Sequence, residues 1–400
     1  MQTVLSTNQT ADRKKLIFIL VISLTLVSGI IIGGLLFTKY FRQGGGPDMN
    51  YSSFEKSQQT QKISDDRQTA VTKAISKVSS AIVGINVEEV REVQDPFFND
   101  PFFRQFFGNV APQRQVVRGL GSGFVISGDG YILTNDHVAG NATKISVTLT
   151  TGETVNAKLI GSDPVSDVAL LKIDKNNLPF VNFGNSENAI IGEWVIALGN
   201  PFGLFEINDK PTVTVGVVSA LNMKLPAEGK RAYKDMIQTD ASINSGNSGG
   251  PLIDVEGNVI GMNTIIYTGG QFNQGSIGVG FAISINRVKK ILEELKSKGK
   301  IERNFNPGFR IQGIDEQIAK YLNLKNKNGV VVTQVQKGSA ADNAGLKPED
   351  VIISVNGINV RSEQDLILEV NDLRLGDILN MKVIRAGDEK TIEFKLTSEK

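Results

Sequence analysis

Gln238–Thr264 reads QTDASINSGNSGGPLIDVEGNVIGMNT, and its second half argues for a β protein. From Pro251 onward two short apolar runs flank Glu256-Gly257-Asn258, the pattern of an antiparallel strand pair around a tight turn. The first half sets Ser248 in a glycine-rich turn between strands. There a hydroxyl can stand exposed and backbone N–H groups can converge on one point. Glycine-rich turns containing serine are common in β proteins, so this stretch alone is equally a tight loop. Working outward, GFVISGDGYILTN (Gly123–Asn135) is a second hairpin, turning at Asp129-Gly130. Further β-rich runs cover Lys144–Leu149, Val168–Ile173, Trp194–Leu198, Thr212–Ala220 and Gly278–Ser284. So many strands without intervening helices predict a sandwich or barrels between about Thr72 and Gly299.

After Ser284 the periodicity changes. Val288, Ile291, Leu292 and Leu295 recur at helical spacing, with Asn286 available as a cap and Gly299 as the stop, so one amphipathic helix closes the β region. From Phe305 a second unit begins, with strands such as GVVVTQV and DVIISVNG and short helical stretches in SAADNAG and SEQDLILEV. At the other end, Leu16–Phe37 is a run of 22 residues without a charge. At ~1.5 Å per residue it spans a hydrocarbon core of about 30 Å. It is too long for the apolar core of a secretory signal, and no clear A-x-A site follows, so an uncleaved anchor is favoured over a cleaved signal. Arg13, Lys14 and Lys15 before it, against Lys39 and Arg42 after it, weakly favour an inside N-terminus. Residues 38–70 read as a polar linker. The expected organisation is therefore 1–15 cytoplasmic, 16–37 transmembrane, 38–70 linker, 71–300 β domain and 305–398 C-terminal domain.

Composition removes several function classes. With 43 Lys and Arg against 42 Asp and Glu the net charge is +1, so no nucleic acid partner is expected from overall charge. Cysteine is absent, which excludes disulfides, thiolate metal sites and a cysteine nucleophile. One histidine leaves no plausible metal site, and neither metal nor other cofactor is expected.

That histidine, His137, ends YILTNDHV, where a strand runs into a loop or short helix; a lone histidine is usually structural. Asp167 heads the apolar run VALLKI, where a strand-start aspartate is equally ordinary. Together with Ser248 they stand in the order His, Asp, Ser, separated by 30 and 81 residues. That order is the chymotrypsin type. Here the chain resembles the chymotrypsin-fold serine proteases, and within them the HtrA (Deg) family of bacterial envelope proteases. TNDHV, SDVALLKI, ALGNPFG, QTDASINSGNSGGPL and IGVGFAI carry the resemblance, which covers about Ser79 to the C-terminus.

The resemblance implies a mainly β fold of two six-stranded barrels followed by an α+β PDZ domain. It implies His137 as base, Asp167 as its orienting partner and Ser248 as nucleophile, with the Gly246 and Ser248 amides as oxyanion donors and Asn247 setting their orientation. Ser242 stands where trypsin carries its specificity aspartate, so cleavage after Arg or Lys is not expected. NTIIYT implies a substrate-pairing strand and part of the primary pocket, with Thr264, Ile265, Ile266, Tyr267 and Thr268 as contacts and small aliphatic side chains preferred. DPFFNDPFFRQFFG carries six phenylalanines between Phe97 and Phe107, either a local cluster or a contact with a neighbouring subunit. GSAADNAGLKPEDVIISVNG (Gly338–Gly357) resembles a PDZ domain, which binds C-terminal hydrophobic peptides by strand addition. The carboxylate loop is expected in GFRIQG, at Phe309, Arg310, Ile311 and Gln312, a sequence that departs from the family pattern.

The expected function is ATP-independent serine endopeptidase activity on unfolded or misfolded envelope proteins. The implied enzyme is a homotrimer or larger homo-oligomer anchored in the bacterial inner membrane with its domains in the periplasm. The alternatives are a catalytically latent chaperone or PDZ adaptor, and a narrow protease cutting one membrane-bound regulator.

Overall fold

The computed structural model describes residues 23–25, 27–36, 39, 67–93, 113–200, 203, 205, 209–226, 231–244, 246–264 and 278–398. The chain divides into two units, Met1–Arg67 and Gln68–Lys400. In the first, residues 27–36 are helical and exposed. Among the described residues no helix is long and apolar enough to cross a membrane, and residues 16–22, 26 and 37 of the predicted span lie outside them. The phenylalanine-rich segment also lies outside the described residues.

The second unit opens with helix α1 (Ala70–Val78), capped by the Thr69 hydroxyl, which accepts from the Thr72 amide. Six antiparallel strands then close a barrel in the order β1-β2-β3-β6-β5-β4. They are β1 (Ile82–Val93), β2 (Gln113–Val125), β3 (Tyr131–Thr134), β4 (Lys144–Leu149), β5 (Thr154–Asp163) and β6 (Val168–Ile173), with the one-turn helix α2 (Asp136–Ala139) after β3. The Asp129-Gly130 hairpin is β2–β3, as its turn chemistry predicts. β5 was not foreseen: its residues alternate with solvent over most of its length, and only its last turn-side residues carry core.

The second barrel comprises β7 (Asn182–Phe183), β8 (Trp194–Gly199), β9 (Thr212–Met223), β10 (Met236–Thr239), β11 (Pro251–Ile253), β12 (Asn258–Thr264) and β13 (Gly280–Ser284). Six of these strands run β11-β8-β9-β10-β13-β12, and β11 pairing with β12 closes the ring; β7 adds to β12 in parallel. β8 reads as an unbroken apolar run because both of its faces are covered. Val195 and Ala197 fill the second barrel, while Ile196 and Leu198 join the cluster shared with the first. Helix α3 (Ile285–Lys298) seals that cluster with Val288, Ile291, Leu292 and Leu295, the four residues its periodicity names. Gly299 ends it at φ +72°, as expected. The cap differs: Ser284 holds that position, and Asn286 is already helical, its side chain donating to Asn185 Oδ1 at 2.6 Å.

The last domain is a six-stranded sheet of β14 (Phe309–Gly313), β15 (Val330–Val335), β16 (Val351–Val355), β17 (Ile358–Asn359), β18 (Ile378–Arg385) and β19 (Asp388–Lys395), in the order β14-β15-β16-β18-β19 with β17 on β16. Its helices are α4 (Glu316–Tyr321), α5 (Ala340–Asn343) and α6 (Glu363–Asn371). Phe309–Gln312, expected as a carboxylate loop, instead form the edge strand β14. Leu366 and Val370 of α6 are core, packed with Val330, Ile352 and Phe394.

The opposite side of α6 is buried against the barrels. Leu368 meets Val165 and Ala232, and Glu369 takes Lys224 at 2.8 Å and Lys234 at 2.6 Å. Beside it Asp372 accepts from both terminal nitrogens of Arg287, at 3.0 and 2.6 Å. Burial alone would raise the Asp372 carboxyl, but Arg287, Lys234 and Arg303 hold it at about 2. A folded-state value below the ordinary 3.8 stabilises the docked state above about pH 4, and the gain is lost as pH falls through about 2. Asp372→Asn should therefore cost about 2 kcal/mol at neutral pH and flatten the acid dependence of domain docking between pH 4 and 2. Limited proteolysis against pH reads this, and an unchanged acid profile would refute it.

Candidate active site

His137 sits in α2, directly after β3, and Asp167 in the turn before β6. β3 and β6 pair along Tyr131–Thr134 and Ala169–Lys172, which brings the two turns together at one end of the first barrel. Asp167 is fully buried at φ +58°, a backbone region few non-glycine residues adopt. It is held there at both ends. Its carbonyl accepts from Asn135 Nδ2 at 3.0 Å, and its carboxylate accepts from the His137 amide at 3.0 Å, from His137 Nδ1 at 2.9 Å and from Thr264 Oγ1 at 2.9 Å. With Nδ1–H pinned to the carboxylate, Nε2 is the free acceptor of the ring. Burial would raise the Asp167 carboxyl; the charge and hydrogen bonds of His137, with Arg231 behind, hold it below the usual carboxylate range.

Ser248 belongs to the second barrel, in the turn before β11. Two glycines shape that turn. Gly246 has φ +99°, and at Gly249, φ +82°, a Cβ would lie 2.3 Å from both the Ser122 carbonyl and Thr134 Oγ1. The first barrel reaches across to hold the turn: the Ser122 amide donates to the Ser248 carbonyl at 2.9 Å, and the Ser122 hydroxyl donates to the Gly246 carbonyl. Asn247 is buried, its amide spent on the Asn244 carbonyl at 3.0 Å. Among the described residues no acceptor takes the amide protons of Gly246 or Ser248. Among the described residues Ser248 Oγ is buried without a hydrogen-bond partner, so no Ser248–His137 bond is formed in this conformation. Such contacts commonly close only with substrate in place.

Of the remaining predicted contacts, Ser242 is half-buried and its carbonyl accepts from Thr214 Oγ1 at 2.8 Å. Thr264, foreseen as a substrate contact, spends its hydroxyl on Asp167. Ile265, Ile266, Tyr267 and Thr268 lie outside the described residues. Among those described, no group of side chains could hold a metal ion. Sequence reasoning missed Ser122, Asn135 and the orienting role of Thr264. Each is a short polar residue in or just after a strand, recognisable only once the barrels place it.

Comparison with known proteins agrees with this arrangement. The trypsin-like peptidase domain family matches residues 121–262, and the PDZ domain family matches residues 308–396. A protein of Hahella chejuensis (strain KCTC 2396) named "Probable periplasmic serine endoprotease DegP-like" is 42% identical over 338 residues, 81% of this chain and 69% of its own length. A protein of the same name from Chlamydia trachomatis serovar D (strain ATCC VR-885 / DSM 19411 / UW-3/Cx) is 44% identical over 318 residues, 76% of this chain and 60% of its own length. The chain thus spans between three fifths and about two thirds of these relatives. Among solved structures, "HtrA-type protease AlgW with decapeptide" aligns over 83% of this chain and 99% of its own, with 34% identity and a TM-score of 0.63. "Crystal structure of the serine endoprotease from Yersinia pestis" aligns over 83% and 99%, with 29% identity and a TM-score of 0.55. With its paired barrels, the His137–Asp167 bond beside Ser248 and the single C-terminal PDZ domain, the chain belongs to the HtrA family of serine endoproteases.

Proposed function

We propose that this chain is an ATP-independent serine endopeptidase of the bacterial envelope that degrades unfolded or misassembled proteins on the periplasmic side. The observation that carries the reading is the hydrogen-bonded run from Thr264 through Asp167 to His137 beside the buried Ser248. His137 Nε2 takes the Ser248 proton as Oγ attacks the scissile carbonyl, then returns it to the leaving amine. Asp167 fixes the tautomer and stabilises the imidazolium. The Gly246 and Ser248 amides, both without acceptors among the described residues, receive the oxyanion. Ser242 supplies no charge for a basic side chain, which argues against cleavage after Arg or Lys. The PDZ domain presents the edge strand β14 for a hydrophobic C-terminal peptide.

Leu16–Phe37 anchors the chain in the inner membrane, on the strength of its length and lack of charge. The barrels assemble as a homotrimer. Supporting this is an apolar patch of Ile190, Ile191, Trp194 and Val215 on the second barrel, where Trp194 is 58% exposed. One preparation tests the reading. The full chain should resist carbonate extraction from membranes, run in detergent with the mass of three copies, and cleave unfolded casein without nucleotide. Inactivity on every unfolded substrate would overturn the protease reading, and release by carbonate would overturn the anchor.

A further inference from the structure

Asn247 is expected to orient the oxyanion amides, yet its side-chain oxygen holds nothing: Oδ1 is buried without a hydrogen-bond partner among the described residues. The hold comes from the first barrel. Ser122, on β2 opposite Gly84 of β1, is fully buried. Its hydroxyl receives the Asn200 amide at 2.7 Å, and an amide N–H only donates, so the one hydroxyl proton is left for the Gly246 carbonyl. Its own amide donates to the Ser248 carbonyl at 2.9 Å, so a single residue grips the turn on both sides of Asn247. Ser122 is fixed in its turn by Thr134, whose hydroxyl donates to the Ser122 carbonyl at 2.7 Å. Thr134 ends β3, the strand that leads into the helix α2 carrying His137. One strand end thus supports both the base and the grip on the turn that carries the nucleophile.

The Gly246 carbonyl and the Asn247 amide belong to one peptide plane. Two bonds pin that plane: the Ser122 hydroxyl on the carbonyl, and the amide's donation to the Asn244 carbonyl at 3.0 Å. Gly246 sits at φ +99° with no Cβ to resist rotation, so without the cross-barrel bond only the local one opposes a tilt of the plane. A tilt re-aims the Gly246 and Ser248 amides on either side, the donors assigned above to the oxyanion. We infer that Ser122 is a positioning residue for those donors, fixing through its hydroxyl the peptide that separates them. The inference rests on the triad reading given above, and it moves to Ser122 the orienting role expected of Asn247.

Ser122→Ala in the full chain tests this, with casein turnover, binding of phenylboronic acid and the thermal midpoint measured beside the unaltered chain. The boron bonds Ser248 Oγ as a tetrahedral adduct, and an oxygen of that adduct needs the same two amides as the oxyanion. The variant should lose about 10- to 100-fold in kcat with KM held within about twofold, and the boronate should weaken by a similar factor. Ser122→Cys fills the same space with a weaker donor, in a chain that has no other cysteine, and should show the same two losses at smaller size. It keeps the test open should the alanine variant not fold, which the midpoint reads. In either folded variant an unchanged kcat, a loss confined to KM, or a fall in kcat without one in boronate affinity would overturn the inference. Failure of the unaltered chain to cleave casein or to bind the boronate would instead overturn the triad reading.

Discussion

Ser248→Ala is expected to reduce hydrolysis of unfolded casein by about 10⁴-fold or more, with no loss of thermal stability. The size follows from the triad acting as a unit: without Oγ there is no atom for His137 to activate, and only oxyanion and binding contributions remain. The unchanged stability follows from the site itself. Ser248 Oγ has no hydrogen-bond partner among the described residues, so its removal strands no donor or acceptor, whereas the turn is held by the Ser122 amide and hydroxyl donating to backbone carbonyls, which alanine leaves in place. Casein turnover and the thermal midpoint of the two forms, measured side by side, test both halves. Turnover near that of the unaltered chain would remove Ser248 from the mechanism; a collapsed midpoint would refute the account of the turn.

Asp167→Asn should cost about 10⁴-fold in kcat while the fold survives. Asparagine is among the residues best tolerated at positive φ, so the +58° backbone and the Asn135 bond to the carbonyl can persist. What changes is the direction of donation. The carboxylate now accepts from three donors, the His137 amide, His137 Nδ1 and Thr264 Oγ1. An amide must turn its NH₂ toward one of them, and if it faces Nδ1 the ring proton moves to Nε2, where it cannot accept from Ser248. A kcat within tenfold of the unaltered chain would show that the tautomer is not held by Asp167.

What the sequence makes legible are the features encoded by neighbours in the chain. The Asp129-Gly130 hairpin, the α3 stripe with its Gly299 stop and the glycine-rich Ser248 turn each declare themselves within a short window. Asn286 misleads as a cap because the local pattern cannot say which of two nearby polar residues, Ser284 or Asn286, takes the N-cap. Residues that matter through distant contacts stay silent. Thr264 reaches Asp167 across 97 positions, and Glu369 meets Lys224 and Lys234 across 145 and 135. Leu368 and Glu369 on a short helix look like an ordinary apolar residue beside a solvated one, until a second domain covers both. Arg231 lies in a polar stretch with no periodicity to mark it.

The bond from Thr264 to Asp167 joins one barrel to the other, and it bears on how such an enzyme is made. While the chain is being synthesised, the first ring is complete once β6 has emerged, and at that stage it holds a histidine and an aspartate with nothing to activate. Ser248 arrives later, the Thr264 hydroxyl that bonds the aspartate later still, and the second ring needs β13 before it can close. A site that needs both rings is therefore complete only near the end of barrel assembly.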